Sequence, residues 1–350
     1  MAPKLTQTIR RVALSPLTAI YAIGVVSRHF LYDLGLIKSQ KASLPTFVIG
    51  NIHVGGTGKT PHASYFLGLF SKMLGGTEKV ALLSRGYKRK SSGFIWVESD
   101  GNWENYGDEP ALLKSIHTLN PVAVCENRLK GVEMIKEALP DVQVVILDDG
   151  LQHRALIPHF SMAIIDSHRP INEESLLPGG ELRDLKSRLS TYDSIVISRT
   201  SKSRNEEIEA QGLKLDEGQS VFTSKMQNES VNPEGKPRVL AVCGIAHPER
   251  FMDGLVYNWS IVRRETYPDH FEYSEKEIKG WLASIRNEKL DGIVTTAKDA
   301  VKIRPLIADY PEIKLHTISI EVKWQNEEEL KELVLGWLQF TIFEPPKTNK

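Results

Sequence analysis

A strand, a glycine-rich loop and a helix start follow one another in Phe47-Val-Ile-Gly-Asn-Ile-His-Val-Gly-Gly-Thr-Gly-Lys-Thr-Pro61. Glycines let successive backbone N–H groups turn toward one anion, and the helix that follows adds the positive end of its dipole. In such a loop the lysine reaches the β- and γ-phosphates and the threonine hydroxyl is a ligand for Mg²⁺. The segment therefore predicts a site for ATP at Val54, Gly55, Gly56, Thr57, Gly58, Lys59 and Thr60.

The loop departs from the strict phosphate-loop pattern at one position, since His53 lies where the first glycine is expected. The prediction therefore depends on Gly-x-Gly-Lys-Thr and on its place between strand and helix. The alternative is a glycine turn that only joins the two elements, but such a turn has no use for the pair Lys59-Thr60.

Two carboxylates, Asp148 and Asp149, follow the apolar run Val144 to Leu147. Ligands bind at the carboxyl ends of strands in open α/β sheets, and a carboxylate there can hold Mg²⁺ directly or through water. We therefore predict a metal site formed by Thr60, Asp148 and Asp149. The alternative is an Asp-Gly turn with a spare acid.

Asp108 allows two interpretations. It precedes Glu-Pro and an apolar run, which is typical of a helix N-cap, and local sequence favours this role. It could instead be a catalytic carboxylate that orients or deprotonates an acceptor hydroxyl. His153 and His270 also allow a structural or a catalytic interpretation, and a single histidine is more often structural than catalytic.

Apolar runs bounded by turn residues predict buried strands that alternate with helical patterns. This alternation is typical of an α/β fold with a parallel sheet flanked by helices. A polar stretch then precedes a second, smaller α/β domain, in which Ser274 and Glu277 form a predicted capping box. We predict an N-terminal segment 1–37, a phosphate-loop domain 38–225, a linker 226–237 and a smaller domain 238–350, whose last helix could pack on the first domain.

Composition excludes several classes of protein. The 44 basic and 44 acidic residues cancel, so the general basic surface of a nucleic-acid-binding protein is missing. Cys125 and Cys243 lie far apart in apolar runs, with neither metal-ligand spacing nor a disulfide framework. These features fit a globular cytoplasmic protein, and we infer no obligatory protein partner.

The apolar stretch Val12 to Val26 is flanked by Arg10, Arg11 and Arg28. As a helix it would extend roughly 22 Å, short of the ~30 Å hydrocarbon core of a bilayer. We therefore expect a helix lying in the membrane interface, with a core helix as the second possibility and a span or signal peptide as the third.

Together these segments resemble the tetraacyldisaccharide 4'-kinase family of lipid A biosynthesis. The resemblance extends from the N-terminal helix to about Lys302 and is carried by Gly50-Asn51, Val54-Gly-Gly-Thr-Gly-Lys-Thr-Pro61, Leu83-Ser-Arg-Gly-Tyr87, Gly107-Asp-Glu-Pro110, Asp148-Asp-Gly-Leu-Gln-His153, Leu177-Pro-Gly-Gly-Glu-Leu-Arg-Asp184, Cys243-Gly-Ile-Ala246, Asp269-His270 and Thr296-Ala-Lys-Asp299.

The resemblance implies an ATP- and Mg²⁺-dependent kinase at the cytoplasmic face of the inner membrane of a Gram-negative bacterium, held there as a peripheral or monotopic protein. It would phosphorylate the 4'-hydroxyl of tetraacyldisaccharide 1-phosphate to give lipid IVA. In this family the first glycine of the loop is normally missing. The resemblance also implies catalytic roles for Asp108, His270 and Asp149, and substrate contacts for Arg183, Asp184 and His153.

Three positions depart from the family pattern: Leu151 replaces Phe, Asp184-Leu185 replaces Glu-Pro, and Ala297 replaces Glu. The main alternative function is a membrane-associated regulatory ATPase with a similar Gly-Gly-x-Gly-Lys-Thr loop. Such ATPases carry a signature lysine where this chain has Val54, which argues against that alternative.

Overall fold

The computed structural model describes residues 2–229, 231 and 233–343. The chain divides into two compact units: unit 1 comprises the chain up to Arg85, Leu119–Met226 and the chain from Val322, and unit 2 comprises Gly86–Thr118 and Gln227–Glu321. Position 1 of the predicted N-terminal segment, positions 230 and 232 of the predicted linker, and positions 344–350 of the predicted smaller domain lie outside the described residues.

The strands are β1 Gln40–Lys41, β2 Thr46–Gly50, β3 Val80–Ser84, β4 Ile95–Trp96, β5 Val122–Val124, β6 Val144–Asp148, β7 Leu156–Ile157, β8 Phe160–Asp166, β9 Ser194–Ser198, β10 Ser220–Asn228, β11 Arg238–Cys243, β12 Ser260–Thr266, β13 Gly292–Thr296, β14 Leu315–Ile318 and β15 Ile320–Trp324. The α-helices are α1 Ala2–Ala13, α2 Ser15–Asp33, α3 Lys59–Leu74, α4 Trp103–Tyr106, α5 Asp108–Ile116, α6 Arg128–Ala138, α7 Arg204–Gln211, α8 Pro248–Leu255, α9 Glu275–Glu288, α10 Ala297–Leu306 and α11 Glu327–Leu338.

The main sheet of unit 1 has the strand order β10-β9-β8-β2-β6-β3-β5, and all these pairs are parallel. Its central strands are buried along their whole length, as apolar runs flanked by helices require. Because β2 lies between β6 and β8, the loop after β2 and the acids at the end of β6 share one edge of the sheet.

Unit 2 contains a parallel four-stranded sheet of order β12-β11-β13-β14. Successive side chains of β11 point to opposite faces, so Leu240 and Val242 pack in one apolar cluster while Val239 and Ala241 pack in another. The capping box of Ser274 and Glu277 begins α9 as predicted. A helix therefore covers each face of this sheet.

The predicted α/β class, with parallel sheets flanked by helices, is confirmed. The predicted domain limits stay a prediction, and the compact units divide the chain differently, since Gly86–Thr118 groups with the second unit and the chain from Val322 with the first. Within the predicted linker, β10 continues to Asn228. The polar residues at the end of β10 resemble a linker in the sequence, so this part of the strand was not predicted.

The N-terminal segment forms two helices, α1 and α2, where one was predicted. Apolar side chains remain exposed along α2, among them Leu17, Ile20, Ile23 and Val26. Among the described residues no helix is both long and apolar enough to cross a bilayer.

Candidate active site

The predicted phosphate loop connects β2 to α3, with Lys59 and Thr60 in the first turn of the helix. Gly58 is the N-cap of α3 and has a φ of +96°, in the left-handed region. Glycine adopts this conformation without the strain that a side chain would add. The side-chain amide of Asn51 donates a hydrogen bond of 2.7 Å to the Thr57 hydroxyl, which braces the loop.

Two cations meet Asp149 at the end of β6. The guanidinium of Arg183 forms a bidentate pair with the Asp149 carboxylate and also donates to the Asn51 side chain. The Lys59 ammonium lies 3.8 Å from Asp149 Oδ1. The loop lysine, one of the predicted acids and one predicted substrate residue thus come together in unit 1.

Asp149 is held as a carboxylate in a strained backbone. Burial raises the pKa of its carboxyl, but the charge of Lys59 and the hydrogen bond from Arg183 outweigh it and hold the pKa below its usual range. Its φ is +56°, which costs a residue other than glycine about 1–2 kcal/mol. Such strain is typical of functional sites, where surrounding contacts fix the backbone.

The remaining predicted metal ligands lie nearby in the fold. Asp148 is the last residue of β6, fully buried, and pairs in register with Ile49 of β2. Thr60 is half-buried in the first turn of α3. Both are therefore at the strand edge from which the phosphate loop begins.

The predicted substrate residues have different surroundings. The imidazole Nε2 of His153 is buried and has no hydrogen-bond partner within the described part of the chain. Burial lowers the pKa of His153 to about 4, so its ring is neutral near pH 7. Asp184 instead is 2% exposed and its Oδ1 lies 2.6 Å from Nε2 of His29 on α2. This carboxylate is already used to hold the N-terminal helices.

In unit 2, Asp108 and His270 form a close pair, with 2.7 Å between Asp108 Oδ2 and His270 Nδ1. Burial raises the pKa of the Asp108 carboxyl, but the hydrogen bond from His270 and the charge of Lys298 lower it far below its usual range. Lys302 adds a further positive charge 3.3 Å from Oδ2. Asp108 is therefore ionised at every physiological pH.

The interpretation of Asp108 as a helix cap is wrong. Gly107 is the N-cap of α5, Asp108 is the first helical residue, and no side chain caps this helix end. The carboxylate is instead bound by side chains from unit 2. Asp108 and His270, for which the resemblance implies catalytic roles, lie together in the structure, while those roles stay a prediction.

Several residues of these clusters were given no site role from the sequence, although Asn51 and Lys298 lie in the motifs quoted above. The buried Arg128 donates from Nη2 to the Asp149 carbonyl at 3.3 Å, and Asn51 binds Arg183. Lys298 and Lys302 lie one turn apart on α10, both beside Asp108. Their i, i+4 spacing was a visible signal, but only the fold shows what they face.

The chain is similar to known proteins of one family. The family model described as Tetraacyldisaccharide-1-P 4'-kinase, LpxK, matches residues 10–339. A tetraacyldisaccharide 4'-kinase of Phocaeicola vulgatus is 31% identical over 342 residues, covering 91% of this chain and 92% of the relative. Another, of Psychrobacter cryohalolentis, is 35% identical over 312 residues, covering 84% and 80%.

Among solved structures, the chain is similar to LpxK from Aquifex aeolicus, described as an "apo" form in complex with ATP. The TM-score is 0.74 at 29% identity, and the match covers 93% of this chain and 99% of that one. The predicted resemblance is thus confirmed across nearly the whole chain. This chain belongs to the tetraacyldisaccharide-1-P 4'-kinase family.

Proposed function

We propose that this protein transfers the γ-phosphoryl group of ATP to the 4'-hydroxyl of tetraacyldisaccharide 1-phosphate, giving lipid IVA. The observation that carries this proposal is the buried pair of Asp108 and His270. A phosphate loop alone serves hydrolases and kinases alike. A separate ionised carboxylate, held by a histidine and two lysines, is suited to orient an acceptor hydroxyl.

The two clusters supply the two halves of a phosphoryl transfer. The loop amides and Lys59 bind the triphosphate. The Lys59 ammonium lies 3.8 Å from Asp149, a distance that leaves its N–H groups available to donate to phosphate oxygens. The acceptor oxygen then forms a bond to the γ-phosphorus while the bond to the β-phosphate oxygen breaks, releasing ADP. Asp108 orients the hydroxyl and takes its proton as the new bond forms.

The donor set fits Mg²⁺. Thr60, Asp148 and Asp149 offer a hydroxyl and two carboxylates, and Mg²⁺ takes oxygen ligands and uses few protein groups when phosphates complete its shell. In the described residues no group of three or more His, Cys, Asp and Glu side chains could hold a metal alone. When bound, the ion would neutralise charge on the phosphates. Asp149 would have to loosen its contact with Arg183 to become a ligand.

An acylated substrate requires access to a membrane, and α2 supports this. Ile20 and Ile23 are 66% and 65% exposed, which suits insertion into an interface. The flanking cations contribute less to membrane binding than their number predicts, because two of them are engaged within the protein. Arg11 pairs with Glu174 at 3.1 Å, and Arg28 donates to the Gln152 carbonyl at 2.6 Å. We infer peripheral attachment at the cytoplasmic face of the inner membrane, mainly through apolar side chains.

The direct test incubates the full chain with γ-labelled ATP, Mg²⁺ and tetraacyldisaccharide 1-phosphate, followed by mass analysis of the lipid. The expected product carries one added phosphate and the label. Lys59→Ala is the control for nucleotide use and an acceptor without a 4'-hydroxyl the control for position. Label released only as inorganic phosphate, at a rate independent of lipid, would instead support the regulatory ATPase.

A further inference from the structure

Helix α10 brings two lysines to the Asp108–His270 pair of unit 2. The Lys298 ammonium lies 3.2 Å from His270 Nε2, 3.2 Å from Asp269 Oδ1 and 3.7 Å from Asp108 Oδ2. Lys302 is 1% exposed, lies 3.3 Å from Asp108 Oδ2 and donates to the Phe271 carbonyl. Only Lys298 therefore contacts the histidine as well as the aspartate.

These contacts select one tautomer of the His270 ring. An ionised Asp108 carboxylate only accepts hydrogen bonds, so the Nδ1 atom that faces it carries the proton. An ammonium only donates, so Nε2 must accept from Lys298. One donor and one acceptor nitrogen define neutral imidazole as its Nδ1–H tautomer.

The same contacts make the two oxygens of Asp108 unequal. His270, Lys298 and Lys302 all approach Oδ2. Among hydrogen bonds between described residues, none involves Oδ1. Oδ2 is thus surrounded by an imidazole N–H and two ammonium groups, while Oδ1 keeps its lone pairs for a further hydrogen-bond donor. An acceptor hydroxyl is such a donor.

We propose that Lys298 is a positioning residue, which fixes the Nδ1–H tautomer of His270 and, with Lys302, holds Oδ2 of Asp108 so that Oδ1 receives the acceptor hydroxyl. This inference rests on the proposed function and deepens it. Lys298 acts through the pair, so it need not touch the substrate. The charged groups around it are Asp269, Asp108, Lys302 and Glu109, and the His270 ring lies beside them.

The test compares Lys298→Met, which keeps length and removes charge, with Lys298→Arg, which restores a donor. Lys279→Met is the matched control, because Lys279 is exposed on α9 and pairs only with Glu275 in the described structure. We expect kcat to fall by on the order of tenfold to a hundredfold in Lys298→Met, with an unchanged KM for ATP and partial recovery in Lys298→Arg. We also expect the acidic limb of the pH profile to move to higher pH, since the pKa of Asp108 rises when this charge is lost.

A second measurement does not depend on variant folding. Nitrogen-15 spectra of the imidazole ring in the wild-type chain distinguish the two neutral tautomers, and we expect a protonated Nδ1 and a bare, hydrogen-bonded Nε2 for His270. The opposite tautomer would overturn the inference. So would a Lys298→Met enzyme with wild-type kcat and pH profile, or one in which only the KM for ATP rises, since that marks a nucleotide ligand.

Asp108→Asn separates failure of this inference from failure of the proposed function. If Asp108→Asn abolishes activity while Lys298→Met is normal, only the role of Lys298 is wrong. If Asp108→Asn is as fast as wild type, the catalytic assignment of the carboxylate fails, and with it the reason for positioning it.

Discussion

His29→Ala should disconnect the N-terminal helices from the nucleotide-binding cluster of unit 1. His29 is 5% exposed, and its Nε2 lies 2.6 Å from Asp184 Oδ1 while its Nδ1 accepts from Arg154 at 3.0 Å. Because arginine only donates, Nε2 must carry the proton and donate to Asp184. Alanine would leave a buried carboxylate without that donor.

The magnitude follows from the burial of Asp184. Leaving a buried polar group unsatisfied costs about 1–3 kcal/mol, more when it is charged. Among the described residues, the Leu185 amide at 2.8 Å is the one hydrogen-bond donor to Asp184 besides His29. We expect a loss of about 3 kcal/mol in the free energy of unfolding. Since Asp184 follows Arg183, which clamps Asp149, we also expect a higher KM for ATP.

The assay is calorimetric unfolding alongside ATP kinetics. His29→Gln is the matched control, since its amide can donate to Asp184 and accept from Arg154, and it should recover most of the stability. Combining His29→Ala with Asp184→Ala should cost less than the sum of the two, as expected for residues in contact. A His29→Ala protein with wild-type stability and KM would refute this coupling.

Three further outcomes are expected. Lys59→Ala should lower activity on the order of a hundredfold or more with unchanged melting, because the loop lysine meets the transferring phosphate; near-full activity would exclude that role. Burial lowers the pKa of His62 to about 4. Between pH 6.5 and 4 only the unfolded chain therefore takes up this proton, and the free energy of unfolding falls by up to about 3 kcal/mol as the pH decreases. Denaturant curves at pH 7 and pH 4.5 should show a smaller loss of stability for His62→Asn than for the wild type. Ile20→Ser with Ile23→Ser should weaken binding to anionic vesicles without changing melting, and unchanged vesicle binding would place the membrane contact elsewhere.

The phosphate loop could be predicted from sequence because its physics is local. Glycines with positive φ, a helix start and a following Lys-Thr lie within one short segment, and Gly58 has the backbone that only glycine adopts readily. The buried strands β2, β3 and β9 were predictable for the same reason, since each is an unbroken apolar run. Their order in the sheet was not.

The role of Asp108 could not be decided from its neighbours in sequence. Its partner His270 is 162 positions away, and the helix start around Gly107 has the composition of a cap in either case. Propensity describes what a residue can do next to its own helix. The Asp108 carboxylate is bound instead by groups that lie far away in the sequence, and it does not cap its own helix. Only the fold, or resemblance to a family, reveals this.

The N-terminal segment is hydrogen-bonded to the rest of unit 1, which its sequence does not reveal. Apolar residues between cations predicted a membrane helix separate from the kinase domain, yet Tyr21 donates to the Arg183 carbonyl at 2.9 Å and Thr18 accepts from the Gly179 amide at 3.0 Å. Removing residues 1–37 would therefore strip hydrogen bonds from the segment that clamps Asp149. Truncation cannot measure membrane binding alone. The exposed face of α2 must be altered for the membrane and its buried face for catalysis, because one helix serves both.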